Sequence, residues 1–551
     1  MKKTILFVFI LLLASSIFYR SPVIDEPLNI ARGANILVNH NMHMSIAHPP
    51  LLNILSAIPL LFLDLEYPET QAYEPFAHKL LYGNKYEPYT ILRLAGISSV
   101  IISVLLGLLI YFIAKRIYSK KAAIFALFLY AFHPVILGHS RLSTPDIGLT
   151  FFIFLTFFVF MWYKDMPTAK RLFLLSVVSG LTLSTKFTSV IIIPFVMTSI
   201  FLIHYQRFKL SRIMSLFKSY MVYIFVIIVT INCIYFFEGS FVSLGKSIDS
   251  DTLLDRDGYF EMRGKLPGIV LFGIDAVPSP LPYNYVRGFI SQAVRPSEPC
   301  YFSGSIHNSP PWYSSFVVFF IKSSIVFIVL IGLAFFSLRR LKLMKDENWI
   351  IFALVYFFLV LNLIPYCRGI RYFLPVFPFV FIFISRSANV FRVDYKAAIL
   401  LLAYAIVPLT SFPEYLYFYN EIVGQNNGCT ISLDGDCDFG QGADRIKPYL
   451  NAKGIINPNI AYHGTEDLSY YNFTYAPLEF SSYASLQKFG KQEPICHELE
   501  GITIISMFQL YNYGEYPNCF DWLQKYKPID RLAPNILVYN ITNSAVKTEN
   551  R

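Results

Sequence analysis

The strongest constraint on this chain is a succession of apolar runs, each near the length that crosses a bilayer core, with charge confined to the connections between them. They fall at residues 1–20, 92–114, 122–137, 147–163, 172–183, 189–205, 220–237, 312–338, 349–366, 372–385 and 397–412. That is about eleven spans of roughly 17–25 residues, the run at 172–183 being short. Only 15% of the residues are charged, against about a quarter in an ordinary soluble domain. The sequence therefore predicts a polytopic α-helical membrane protein.

The net charge of +10 invites a nucleic-acid reading, and its distribution argues against one. Basic residues sit in short connections, such as Lys115, Arg116, Lys120 and Lys121, then Lys164, Lys170 and Arg171, then Arg339, Arg340, Lys342 and Lys345. Basic short loops mark the cytoplasmic face. With the N-terminus inside, an odd number of spans puts the C-terminus outside. The first run also reads as a signal peptide, but it continues through Ile17-Phe18-Tyr19 without an A-x-A site, so a retained span is expected.

Residues 1–412 then form a transmembrane domain with external loops at 21–91 and 238–311, and residues 413–551 an external domain. In the first loop, Asp25 to Val38 reads as an amphipathic helix on the membrane, with Leu28, Ala31, Leu37 and Val38 toward lipid. Residues 51–65 suit a re-entrant or interfacial segment, and residues 67–89 a loop. The C-terminal region reads as a small α/β domain. Extended stretches are expected at 430–433, 459–462, 502–505 and 536–539, with a helix at 444–453 closed by Gly454. Cys429, Cys437, Cys496 and Cys519 cluster there without zinc-ribbon spacing, so disulfides and free thiols both remain open.

Chemistry-bearing residues concentrate at the outer ends of the spans. Asp25-Glu26 follows the first run, where a carboxylate can act as a general base; helix capping is the alternative. His48-Pro49-Pro50 enters the next apolar segment, with His48 either an interfacial anchor or a phosphate contact. Arg141 stands alone in an external turn ending at Asp146. It suits phosphate recognition, or an Arg141–Asp146 ion pair that fixes the turn. Lys186, Arg368 and Arg371 occupy two further external turns, as snorkelling side chains or as parts of one converging anionic site. Asp434, Asp436 and Asp438 alternate like the start of a calcium loop, but position 445 is Arg where such a loop needs Glu. No GxGxxG, Walker, HExxH or Ser-nucleophile motif is present.

Taken in order, Asp25-Glu26, His48-Pro49-Pro50-Leu51, Ser140-Arg141 through Asp146, Gly180 through Phe187, and Arg371-Tyr372-Phe373-Leu374-Pro375 resemble family 39 glycosyltransferases. These are the dolichyl-phosphate-mannose–protein mannosyltransferases and their bacterial relatives, of the GT-C class. Asp436-Cys437-Asp438-Phe439-Gly440-Gln441 is similar to a motif after the last span of many bacterial members. The resemblance implies a multi-pass enzyme of the bacterial inner membrane with an extracytoplasmic C-terminal domain. It would move mannose or another hexose, with inversion, from a polyprenyl-phosphate donor to a protein, lipid or glycan hydroxyl. Asp25 would be the base, alone or with Glu26, and Arg141 would bind phosphate, aided by Lys186, Arg371 and His48. Arg368 and Asp146 are further candidates. Such chemistry requires no metal, though it leaves one open. Residues 238–311 are too short for the β-trefoil that some members carry, and Phe439 stands where many bacterial members have Trp. A transporter or flippase of a lipid-linked precursor is the competing reading. It calls for midplane charges and an inverted repeat, neither of which the sequence displays.

Overall fold

The computed structural model describes the chain except residues 19–20, 45–46, 71, 206–210, 244–267, 269–276, 295–298, 340–341, 364–368, 390–394, 434, 436, 481, 512–515 and 543–551. Arg368, Asp434 and Asp436 therefore lie outside the described residues.

A helix occupies each expected span. They are α1 (Lys2–Ile17), α5 (Pro88–Ile117), α6 (Lys120–Ala131) with α7 (Pro134–His139), α8 (Pro145–Asp165), α9 (Ala169–Leu183), α10 (Ile192–Tyr205) and α11 (Ser211–Ile234). Helices at Ser314–Ile321 with Ile325–Leu338, Glu347–Asn362, Phe377–Ser385 and Tyr395–Thr410 complete the set. Among the described residues, five helices are long and apolar enough to cross a membrane alone, or six if one bent pair counts as one span. The rest are shorter.

Two spans expected to be continuous are broken. Pro134 has no N–H to continue α6, so the chain restarts as α7 with Pro134 in its first turn. Ser314–Ile321 and Ile325–Leu338 meet at 110°, and the Ser324 hydroxyl caps the second helix at the N–H of Phe327, 3.2 Å away.

The first external loop departs furthest from expectation. Residues 73–82, expected as loop, form α4 (Tyr73–Tyr82); Pro75 sits in its first turn, where no intrahelical bond is lost. The amphipathic segment is a helix, α2 (Asp25–Asn39), and protein covers most of its apolar stripe, with Val38 exposed. Ile30, Ala31 and Ala34 are buried against Leu60, Phe76, Leu80 and Leu92. The helix α3 (Leu51–Ala57) covers its other side, and a Cβ on Gly33 would stand 1.9 Å from the Asn53 carbonyl oxygen. The apolar stripe that suggested lipid thus buries protein surface.

Opposite the site described below, basic connections and acids gather at the other end of the bundle. Arg116 pairs with Asp165 at 2.7 Å, Lys164 with Asp346, and the fully buried Arg386 with Glu347.

The loop between α11 and Ser314 contributes a helix at Tyr283–Val294 and a hairpin, β1 (Cys300–Phe302) and β2 (Ser305–His307). Ser303 and Gly304 both turn with positive φ, as a two-residue hairpin loop requires. The C-terminal region holds a five-stranded sheet. Its strands are β3 (Asn459–Ala461), β4 (Ala476–Pro477), β5 (Gly501–Ser506), β6 (Asp530–Ala533) and β7 (Ile536–Ile541), in the order β4-β3-β5-β7-β6. β3 runs parallel to β4 and β5, while β7 runs antiparallel to β5 and β6. A helix at Ile446–Lys453 ends at Gly454 with φ +64°. The stretch at 430–433 is no strand; it turns back on Gly428 and makes one bridge, Ser432 to Phe302. Two disulfides, Cys429–Cys437 and Cys496–Cys519, link the four clustered cysteines.

Candidate active site

The site forms where the start of α2 meets the outer ends of α8, α9 and residues 369–376, beneath the sheet domain. Asp25 does not cap α2. It is the first helical residue, the position before it is already helical, and no side chain caps the end. Its Oδ2 instead accepts from Arg371 Nη1 at 2.9 Å. The Asp25 side chain is 38% exposed, so a ligand can reach it, whereas Arg371 is 7% exposed.

Glu26 has a different environment. It is fully buried, and its carboxylate accepts the Val23 N–H at 3.1 Å and the Ser143 N–H at 2.8 Å. It therefore ties the start of α2 to the turn that carries Arg141. One helical step separates two carboxylates, one open and one sealed.

Asp146 lies in the first turn of α8 without capping it, and it does not pair with Arg141. Its partner is Lys186, Nζ to Oδ1 at 2.8 Å, both side chains nearly inaccessible. Lys186 also lies 4.3 Å from the centre of the Tyr372 ring. His48 is brought against this pair because the Leu51 N–H donates to the Ser184 carbonyl at 3.1 Å. Burial, then the nearby Lys186 and Arg32 cations, hold the His48 imidazole well below its usual pKa, so it is neutral near pH 7.

Arg141 turns elsewhere. It is buried, donates to the Ser16 carbonyl of α1 at 2.8 Å, and its guanidinium lies 5.9 Å from the Tyr415 ring centre. Asp25, His48, Asp146, Lys186 and Arg371 thus lie together, and Arg141 faces the end of α1.

Three further residues join the centre; the sequence motifs single out Phe439 but not its contact there, and neither Arg32 nor His463. Arg32 is two turns along α2 from Asp25, on the same face, and its charge acts on both Asp25 and His48. The spacing is visible in the sequence, but the apolar face beside it was expected to meet lipid rather than protein. The second is Phe439 in the sheet domain, whose ring centre lies 4.4 Å from the Arg371 guanidinium. Its loop is fixed by two buried neighbours. Asp438 accepts from Asn535, the Gly440 N–H and the Phe508 N–H, and Gln441 accepts the Phe439 N–H while donating to the Cys437 carbonyl. Burial raises the Asp438 carboxyl to about 6. The third is His463, stacked on Phe508 at 3.8 Å. Burial lowers it to about 4, with Asp25 pulling the other way. No local pattern brings Phe439 or His463 to Asp25; the docked domain does, through the Ile24 N–H on the Phe439 carbonyl at 2.9 Å and the Gly442 N–H on the Ser21 hydroxyl.

Among the described residues, no group of three His, Cys, Asp or Glu side chains is arranged to hold a metal. The centre holds three cations, Arg32, Lys186 and Arg371, against Asp25 and Asp146. Such an excess, beside an accessible carboxylate, can take an anionic group and a proton from a neighbouring hydroxyl.

Fold and site together define a multi-spanning helical membrane protein with a polar centre roofed by a C-terminal sheet domain. Within it, residues 93–236 match the family model described as dolichyl-phosphate-mannose-protein mannosyltransferase, the family that the ordered motifs resemble. A search of curated proteins found no match. Among solved structures, the chain is similar to ArnT from Cupriavidus metallidurans bound to undecaprenyl phosphate, at 12% identity and TM-score 0.44 over 98% of both chains. It is also similar to the archaeal oligosaccharyltransferase AglB from Archaeoglobus fulgidus in complex with an inhibitory peptide and a dolichol-phosphate. That likeness has 13% identity and TM-score 0.46, over 95% of this chain and 72% of the other.

Proposed function

We propose that the chain is an inverting glycosyltransferase that moves a hexose, mannose foremost, from a polyprenyl-phosphate donor to an acceptor hydroxyl on the extracytoplasmic face. The observation that carries this reading is the convergence of an accessible Asp25 with Arg371, Arg32 and Lys186, on helices that include the matched segment.

In this reading the acceptor O–H gives its proton to the Asp25 carboxylate as its oxygen bonds to the anomeric carbon. The bond from that carbon to the donor phosphate oxygen breaks on the opposite side, and its electron pair leaves on the lipid phosphate. A single displacement inverts the anomeric centre. Arg371, Lys186 and Arg32 stabilise the departing phosphate, in surroundings where burial strengthens their effect. Neutral His48 serves as a hydrogen-bonding contact. Glu26 and Arg141 hold the scaffold, the first through two backbone N–H groups and the second through the Ser16 carbonyl.

The test is transfer from a radiolabelled polyprenyl-phosphate sugar by the purified full-length protein, wild type beside Asp25→Asn. Turnover should fall by about 10²–10⁴-fold with the donor still bound. Normal turnover in Asp25→Asn would overturn the assignment of the base.

A further inference from the structure

Across the 21–24 segment from Asp25 lies a second recess, a cavity of about 390 Å³ that the proposed transfer does not use. Four parts of the chain build it. Phe18 comes from the end of α1, Tyr89 and Arg93 from the first turns of α5, and Asp444, Arg445 and Tyr471 from the sheet domain. Glu414 closes it from the connection after the last helix.

Its chemistry contrasts with the cationic centre. Two guanidiniums line it against two carboxylates, and Arg445 pairs with Glu414. Burial raises the Asp444 and Glu414 carboxyls. Among the described residues, the lining balances its two guanidiniums with two carboxylates. It offers aromatic rings and fork-shaped polar groups. The Arg93 guanidinium lies 5.1 Å from the Phe18 ring centre and 6.0 Å from that of Tyr89, and its Nε has no hydrogen-bond partner among the described residues. Behind the wall, Tyr89 and Tyr471 both donate to Glu466 Oε1, while the buried Oε2 of the same carboxyl has no partner among the described residues.

Carboxylates and guanidiniums match the paired hydroxyls of a pyranose, and the negative face of an aromatic ring attracts its polarised C–H face. The volume falls within the range of ordinary small-molecule sites. We infer that this cavity binds a neutral sugar unit, distinct from the sugar that is transferred. The inference stands on the cavity's own lining and survives if Asp25 proves not to be a base.

The experiment uses the full-length protein in phosphatidylcholine nanodiscs, which carry no sugar headgroup. Methyl α-mannopyranoside and methyl β-glucopyranoside are the probes, read by saturation-transfer difference NMR. Ring-proton signals should appear for at least one glycoside with wild type and equally with Asp25→Asn. Arg93→Gln, Asp444→Asn and Tyr471→Ala should each weaken binding at least about tenfold, while Tyr471→Phe keeps the ring and most of the binding. Thermal midpoints of the variants identify any that fail to fold, and Asp444→Asn is the mildest change. The inference is overturned by silence of both glycosides with wild type, or by undiminished binding in the folded variants. It is equally overturned if inorganic phosphate, followed by ³¹P NMR, binds in the recess and is lost in Arg93→Gln.

Discussion

The seam between the helical body and the sheet domain has two sides that balance charge in opposite ways. On the Asp25 side, cations outnumber carboxylates and the ion pairs are direct: Arg371 to Asp25 and Lys186 to Asp146. On the Glu466 side, acids are packed beside tyrosines, and burial raises Glu466 to about 8. The first arrangement suits stabilising a negative charge that grows during a reaction. The second keeps a carboxyl protonated, and it tightens or loosens with pH. Two interfaces a few residues apart can therefore be disturbed separately.

The largest expected effect comes from Lys186→Ala. It leaves the Asp146 carboxylate buried without its counter-ion, a change that costs about 3–5 kcal/mol. Thermal or denaturant unfolding of the purified protein checks this; a loss under about 1 kcal/mol would mean that water reaches Asp146.

Glu466→Gln probes the other side. Its carboxyl is raised in the folded state from 4.5 to about 8, so the native chain binds more protons than the unfolded one between those values. Stability at this site is fully present below about 4.5, falls as pH rises, and levels off above about 8. At roughly 1.4 kcal/mol for each unit, the swing amounts to a few kcal/mol. The variant should lose that slope and be more stable than wild type at pH 9, as melting curves from pH 5 to 9 would reveal. Parallel curves would remove the contrast between the two sides.

Phe439→Ala should lower turnover by about 10²-fold through misplacement of Arg371, with Phe439→Trp restoring most of it and donor KM changing less than kcat. An unchanged kcat would separate the sheet domain from the reaction. Arg141→Ala is the smallest change expected. It removes a charged hydrogen bond to the Ser16 carbonyl, worth about 1.5–3 kcal/mol of stability at most, and leaves donor KM unaltered. A raised KM would return Arg141 to the phosphate.

Much of this architecture was legible from residue order. Apolar runs of this length located the helices, because a helix satisfies every backbone group within its own segment in a bilayer. Charges at outer turns pointed to Asp25, His48, Asp146, Lys186 and Arg371, which the fold gathers. What stayed hidden depended on packing between distant segments. Arg32 was obscured because α2 carries the same apolar stripe whether it meets lipid or α3 and α4. Phe439 and His463 owe their positions to hydrogen bonds between residues more than 400 positions apart, such as Gly442 to Ser21. The choice of Lys186 over the nearby Arg141 as partner of Asp146 also lies beyond local pattern, since the end of α9 must pack against α8 before Lys186 is in reach.

The contact of Phe439 with Arg371 has a consequence in time. A ribosome delivers the chain in order, so Asp25 is made and can enter the membrane long before residue 439 exists. The centre described here is completed only when residue 439 has been made and docked. A truncated or half-made copy, already threaded through the bilayer, holds the carboxylate without the ring that steadies its arginine. A fragment that stops before residue 439 therefore lacks the finished arrangement.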